Sequence, residues 1–382
     1  MSERRPSLLL HCQHSLGLGH LVRSLALGEA LAEHFRVTIL CGGAVPRSLP
    51  LPDGVEIVSL PPIHAEGSGL SSSDPSVDLA RAFALRRELI LGVLEAHCPD
   101  AVVVELFPFG RKKLAHELVP FLEAARAQGA VTVSSVRDLL VSREDGASHD
   151  ERAAELANRL LDAVLVHSDP WFARLEETFR PRTPLRVPVW HTGFVVRPRR
   201  GLRATPAKAR VVVSAGGGRV GAPLLCAAVD AHRLLGGRMD MTVIAGPFLP
   251  EPQWTRLHRQ ADGVLLRRSV PDLGAELATA SASVSQCGYN TALEVVSCGI
   301  PALVVPFAAP GEDEQTRRAE RLARRGAVRV LPPEVLSPAA LADELERLLD
   351  FRPAPHALDL GGGAGSAELL DALVRGRLRG AA

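Results

Sequence analysis

Between Ser281 and Phe307 the chain reads SASVSQCGYNTALEVVSCGIPALVVPF, and this stretch dictates its own local structure. Ala282 to Ser285 reads as a strand, Cys287-Gly288 as a tight turn, and Asn290 to Ser297 as a short helix. Gly299 supplies the left-handed residue that ends the helix, and Pro301 blocks any continuation. Ala302 to Val305 is an apolar, β-branched run that fits a buried parallel strand. A strand that feeds a helix through a glycine turn leaves backbone N–H groups unpaired at the helix start. With the positive end of the helix dipole, those donors make an anion site suited to phosphate. Gln286 and Gly288 lead into that site, and Asn290 and Thr291 add side-chain donors. Glu294 follows on the same helix face, where a carboxylate can accept from both hydroxyls of a ribose. Thr291-Ala-Leu-Glu294 also reads as a capping box, which needs no ligand.

The rest of the chain repeats the same alternation. Ser7 to Cys12 is a first strand, His14-Ser-Leu-Gly-Leu-Gly-His20 a glycine loop, and Leu21 to Glu33 a helix. A dinucleotide fingerprint would need G-x-G-x-x-G. Here Gly17-Leu-Gly19 is followed by Arg23 and Ser24, and Gly28 comes too late, which argues against a dehydrogenase. Strands at 36–40, 55–60, 101–105, 131–135 and 163–166 alternate with helices at 79–96, 112–128 and 150–161. Gly67 to Pro75 reads as a polar loop.

Residues 197–209, rich in Arg, Pro and Gly, form a linker between domains at 1–196 and 210–355. The second series has strands at 210–214, 241–245, 264–266, 282–285, 302–305 and 328–331. Its helices are expected at 220–235, 271–280, 290–297, 312–325 and 341–349. A last helix, Ala367 to Leu378, follows a hinge-like Gly361-Gly-Gly363 within 356–382. This pattern predicts an α/β protein with parallel sheets covered on both faces.

At 382 residues the chain holds two domains of ordinary size, and 46% hydrophobic with 23% charged residues marks it as globular. A net charge of +1 argues against a nucleic-acid binder that works by neutralising phosphate. The six cysteines are scattered without metal spacing and suit reduced, mostly buried thiols in the cytosol. No signal peptide and no membrane span are read from the sequence. The expectation is a cytoplasmic protein, with docking on a membrane surface left open.

Three constellations carry chemistry. Gly17, Gly19 and His20, with Arg23, place an imidazole at a helix start, where the dipole disfavours its charged form and keeps it available as a general base. The alternative is a histidine that caps its own helix. Gly216, Gly217, Gly218 and Arg219 follow the first strand of the second domain and suit a diphosphate. Glu312-Asp-Glu-Gln315 opens a helix, where acidic residues are also favoured by the dipole alone. Glu105 and Asp138 end strands of the first domain and are candidates to orient His20 or to bind an acceptor. A structural Arg137–Asp138 ion pair is the competing reading.

Gln286-Cys-Gly-Tyr-Asn-Thr-Ala-Leu-Glu294 resembles HCGWNSxLE, the nucleotide-sugar signature of GT-B glycosyltransferases, and Gly299 to Pro306 resembles the segment that follows it. Glu314-Gln315 resembles the acidic-Gln pair that holds the donor sugar, and Gly216 to Gly218 the loop that receives the diphosphate. Gln286 and Tyr289 stand where the signature has His and Trp, so the charge that His can carry is missing. The run GLGHLVRSLALGEAL from Gly17 resembles the opening of MurG-like transferases, and a nucleotide-sugar hydrolase of pseudaminic acid synthesis starts similarly.

The resemblance implies a GT-B fold, two Rossmann-like doubly wound domains with an interdomain cleft, and a C-terminal helix within 356–382 that packs back on the N-terminal domain. It implies an inverting glycosyltransferase that moves a sugar from an NDP-sugar, a UDP-sugar first of all, to an acceptor hydroxyl with His20 as base. No cofactor and no obligatory metal are expected. The acceptor stays open between a small molecule, a lipid-linked group and a polysaccharide. Two alternatives also stay open: a hydrolase or epimerase of the same fold, and a non-catalytic nucleotide-sugar binding protein.

Overall fold

The computed structural model describes residues 4–14, 18–46, 49–66, 69–140, 146–197, 208–309, 312–355 and 358–376. They form two units, one of residues 1–196 with 358–382 and the other of residues 197–357. Most of the expected linker, together with Gly17, lies outside the described residues.

The first unit runs β1 (Ser7–Cys12), α1 (Gly19–Leu31), β2 (Arg36–Cys41), β3 (Val55–Ser59), β4 (Ile63–Glu66) and β5 (Gly69–Ser72). It continues with α2 (Leu79–His97), β6 (Ala101–Glu105), α3 (Ala115–Ala127), β7 (Val131–Arg137), α4 (Gly146–Leu160), β8 (Ala163–His167) and β9 (Val189–His191). Seven parallel strands lie in the order β3-β2-β1-β6-β7-β8-β9. The two-residue period of a strand sends alternate side chains to opposite faces. Leu8 and Leu10 therefore pack with Leu21, Leu25 and Leu31 of α1, while Leu9, Val102 and Val104 pack with α2, α3 and α4. With both faces covered, β1 and β6 are buried along their whole length and mostly apolar, as the sequence predicts for a parallel sheet.

The second unit runs β10 (Arg210–Ser214), α5 (Ala222–Leu234), β11 (Asp240–Ile244), α6 (Glu251–Gln260), β12 (Leu265–Arg267), α7 (Leu273–Ala278) and β13 (Ala282–Ser285). Then come α8 (Tyr289–Cys298), β14 (Ala302–Val304), α9 (Glu314–Arg324), β15 (Arg329–Val330) and α10 (Pro338–Asp350). Its six parallel strands lie in the order β12-β11-β10-β13-β14-β15. Val211, Val213 and Val284 share one core with Leu224, Leu225 and Val229 of α5 and with Leu341 and Leu345 of α10.

Three expectations change. Gly69 to Ser72, expected as loop, is a strand that pairs antiparallel with Ile63 to Glu66, because Leu70 is partly buried against the core. The Gly361-Gly-Gly363 run is no hinge. The last helix, α11 (Gly362–Val374), starts inside it, with Phe194 N–H donating to Asp359 O at 2.7 Å and Gly362 N–H to Phe194 O at 3.0 Å. A Cβ on Gly362 would lie 2.1 Å from the Gly193 carbonyl oxygen, so only glycine allows that approach. β9, a short edge strand, and α6 have no counterpart in the sequence reading.

Candidate functional site

In each sheet the strand order reverses once, between β1 and β6 in the first unit and between β10 and β13 in the second. Ligands of open α/β sheets bind beyond the carboxyl ends of strands at that reversal. The His20 cluster and the glycine loop after β10 sit there.

In the first unit, β6 ends at Glu105, whose side chain is 1% exposed, and α1 begins at Gly19 with His20 second. His20 Nδ1 lies 2.7 Å from Glu105 Oε1. An ionised carboxylate can only accept, so Nδ1 carries the hydrogen and Nε2 is left as the basic nitrogen. Arg23, one helical turn on and 3% exposed, donates Nη2 to the same Oε1. The N-cap of α1 is Leu18 without a side-chain cap bond, so His20 does not cap its own helix. Asp138 is buried and accepts from the N–H of Leu139 at 2.9 Å, so Glu105 is the carboxylate that meets His20.

Burial disfavours imidazolium and outweighs the pull of Glu105, and Arg111 and Arg23 act in the same direction as burial. His20 therefore titrates well below an ordinary histidine. Burial alone would raise Glu105, but His20, Arg23 and Arg111 together hold it below the usual carboxylate range. The result is a neutral imidazole oriented by an ionised carboxylate.

In the second unit, the loop after β10 turns through Gly216 at φ 56° and Gly218 at φ 88°, both left-handed. It is braced from the side by the loop after β11: Phe248 N–H donates to Gly217 O at 2.9 Å, and a Cβ on Gly218 would lie 2.4 Å from Ala245 O. Arg219 is exposed beside it. The N-cap of α8 is Gly288, with no side-chain cap. Thr291 therefore sits inside the first turn, not at the cap, and the capping-box reading of Thr291 and Glu294 falls away. Thr291 Oγ1 lies 3.8 Å from the Cβ position of Gly216, which brings the glycine loop and the start of α8 together. Gln286 Nε2 reaches the Val220 carbonyl at 3.5 Å across the same gap. Asn290 and Glu294 are half-buried on α8.

Gln315 has a role that the sequence reading missed. Its Oε1 accepts from Cys287 N–H at 3.0 Å and from Phe307 N–H at 3.1 Å, which leaves its amide hydrogens as donors. Arg318, 1% exposed, donates to Cys287 O at 2.9 Å, and its guanidinium lies 5.8 Å from the Tyr289 ring centroid. Two side chains one turn apart on α9 thus clamp both sides of the Cys287 peptide and fix the turn into α8. Their three-residue spacing is the signal that could have found them. Glu314 opens α9 in its first turn. Among the described residues, no three His, Cys, Asp or Glu side chains come together as a metal site.

Residues 238–360 match the glycosyltransferase family 28 C-terminal domain. The chain is 32% identical over 235 residues to the UDP-N-acetylglucosamine–N-acetylmuramyl-(pentapeptide) pyrophosphoryl-undecaprenol N-acetylglucosamine transferase of Verminephrobacter eiseniae, covering 57% of this chain and 64% of that one. The same enzyme of Rhodospirillum rubrum is 32% identical over 53% of this chain and 54% of its own. The chain thus spans less than two thirds of these relatives. Two solved structures are similar over nearly the whole length. The calicheamicin glycosyltransferase CalG4 has a TM-score of 0.58 at 21% identity, over 98% of this chain and 99% of that one. Acinetobacter baumannii MurG has a TM-score of 0.55 at 14% identity, over 97% and 100%.

The chain has the GT-B fold and carries a family 28 C-terminal segment.

The matched family 28 segment contains α8, α9 and the turn between β13 and α8, so the sequence signature and the clamped turn are one feature. No helix among the described residues is long and apolar enough to cross a membrane.

Proposed function

We propose that the chain is an inverting glycosyltransferase that takes the sugar of a nucleoside-diphosphate sugar and transfers it to an acceptor hydroxyl. The observation that carries this reading is the 2.7 Å contact between His20 Nδ1 and Glu105 Oε1, which leaves Nε2 basic and oriented. In this scheme Nε2 removes the acceptor proton as the acceptor oxygen attacks the anomeric carbon. The bond to the diphosphate breaks, and its electron pair leaves with the nucleoside diphosphate. The second unit binds the donor: Gly216 to Gly218 and the start of α8 take the diphosphate, Glu294 the ribose, and Glu314 with the Gln315 amide the sugar. The glycine loop and helix dipole stabilise the leaving group, and no obligatory metal or cofactor is called for. A UDP-sugar is the donor of choice because the relatives from Verminephrobacter and Rhodospirillum are named as UDP-N-acetylglucosamine transferases. The setting is cytoplasmic, with docking on a membrane surface open.

The test is paired. His20→Ala lowers single-turnover transfer by about 10²–10⁴-fold, the range for a positioned general base, and leaves UDP affinity unchanged. A variant that transfers sugar within a few-fold of wild type removes His20 from the chemistry. Stoichiometric release of free sugar without any acceptor makes the protein a hydrolase instead.

A further inference from the structure

Arg111 carries donors that the protein leaves unused. Its Nε lies 3.7 Å from Glu105 Oε2, an ion pair too long for a hydrogen bond. Nε and Nη2 are both buried, and among the described residues neither meets an acceptor. Glu105 Oε1 is already taken by His20 and Arg23. Two guanidiniums thus face one carboxylate in these ion pairs. His14 stands close by, 5% exposed beside the Gly43 backbone, and among the described residues its buried Nε2 has no well-formed hydrogen bond. Burial and the charge of Arg111 both push His14 below an ordinary histidine, so it adds no positive charge of its own.

The backbone that presents Arg111 is held in an unusual shape. Leu106 at φ 64° and Arg111 at φ 58° are left-handed without being glycine. Gly110 N–H donates to Leu106 O at 2.6 Å, and Phe109 O meets His149 Nε2 at 3.0 Å. Phe107 and Phe109 are buried. Non-glycine residues stay left-handed only where the surroundings fix them, and such positions gather at ligand clamps. Here the fixed feature is an arginine with two idle donors beside the proposed base. The side chain as a whole keeps 19% of its surface exposed.

We infer that Arg111, with His14 beside it, is a subsite for an anionic oxygen group, a phosphate or a carboxylate, carried by the acceptor near the hydroxyl that reacts. Planar anions and phosphates match the two-point fork of a guanidinium, which a lysine cannot reproduce. The incoming anion draws the guanidinium away from its long contact with Glu105, which keeps its bonds to His20 and Arg23. That the anion belongs to an acceptor rests on the transferase reading. The subsite itself rests on Arg111 alone.

The probes are inorganic phosphate and acetate, against chloride at equal ionic strength, on full-length protein saturated with UDP so that the phosphate positions of the second unit are filled. Arg111 modification by phenylglyoxal is read by peptide mass spectrometry. Phosphate slowing that modification several-fold supports a phosphoryl group, and acetate doing so supports a carboxylate. Equal rates in all three salts overturn the proposal. In a second measurement the protecting anion raises the thermal midpoint of the wild type over chloride, and Arg111→Gln abolishes the rise while Arg111→Lys weakens it. A rise that survives in Arg111→Gln also overturns it. If His20→Ala still transfers sugar while Arg111 remains protected, the base assignment fails and the anion subsite stands.

Discussion

The Arg86 guanidinium meets the Glu117 carboxylate at two points, Nε to Oε2 at 2.8 Å and Nη2 to Oε1 at 2.6 Å, with neither side chain exposed. Arg86 also donates to the carbonyls of Gly42 and Pro61 and to Gln13 Oε1. Gln13 in turn donates to the carbonyls of His14 and Ile63. One buried ion pair therefore ties together the chain segments that leave β1, β2 and β3, and so fixes the position of His14.

That pair makes stability depend on acid. Burial would raise Glu117, but the hydrogen bonds and charge of Arg86, with His11 Nε2 3.6 Å away, lower it from 4.5 to about 2. Its folded value is depressed, so the stability it contributes is complete above pH 4.5 and is lost as pH falls towards 2. Glu117→Gln leaves Arg86 buried without a counter-charge and destabilises the fold by about 3–5 kcal/mol at neutral pH. Denaturant titrations at a series of pH values should show the wild type losing stability in that window and the variant responding less. Parallel curves would mean that Glu117 is not the group titrating.

Glu105→Gln tests the orientation of His20. The carboxylate favours imidazolium, so its removal moves the acid limb of the rate profile to lower pH. Turnover falls by about 10²-fold or more, because the amide no longer fixes which ring nitrogen carries the hydrogen. Arg23 also loses its carboxylate, so circular dichroism must first show that the variant is folded. Unchanged turnover and an unchanged profile would show that His20 needs no partner.

Glu294→Ala tests the ribose contact of the proposed donor site. Gly288, not Thr291, is the N-cap of α8, and in the proposed scheme the variant loses two charge-assisted hydrogen bonds to a ribose. Calorimetry should give a UDP affinity weaker by roughly 1–3 kcal/mol. Intact UDP affinity would remove Glu294 from the donor site.

Gly218→Ala strikes the loop that, in the proposed scheme, receives the diphosphate. At φ 88° any side chain is strained, and the new Cβ would sit 2.4 Å from Ala245 O and 3.0 Å from Gly246 Cα, both backbone atoms. The cost is about 1–3 kcal/mol of stability, with loss of UDP binding as the two loops separate. A variant as stable as wild type that binds UDP normally would show that these loops move apart freely.

Much of this was legible from period and punctuation. The apolar runs of β1, β6, β10 and β13 and the glycine stop at Gly299 are local properties, and they appear at the expected residues within one or two positions. His20 and the turn at Cys287-Gly288 could be singled out because glycine and histidine are conspicuous in sequence. Residues that act through distant partners were harder. Glu105 lies 85 positions from His20, and only the neighbouring of β1 and β6 in the sheet brings them together. Arg318 was not singled out, because its burial beside Tyr289 leaves no local mark in the sequence. Gly69 to Ser72 read as loop because its polar composition hides a single partly buried leucine.

The fit of Gly362 against Gly193 joins residues far apart in the order of synthesis. Ala367 and Leu370 of α11 complete the same core as Leu21, Leu25 and Leu31 of α1. The helix that carries His20 therefore emerges early from the ribosome, but part of its apolar cover is made only after the whole second unit. Until then a nascent chain exposes that surface to chaperones and proteases. Shortening the chain just before Leu358 would thus impair the half of the protein built first.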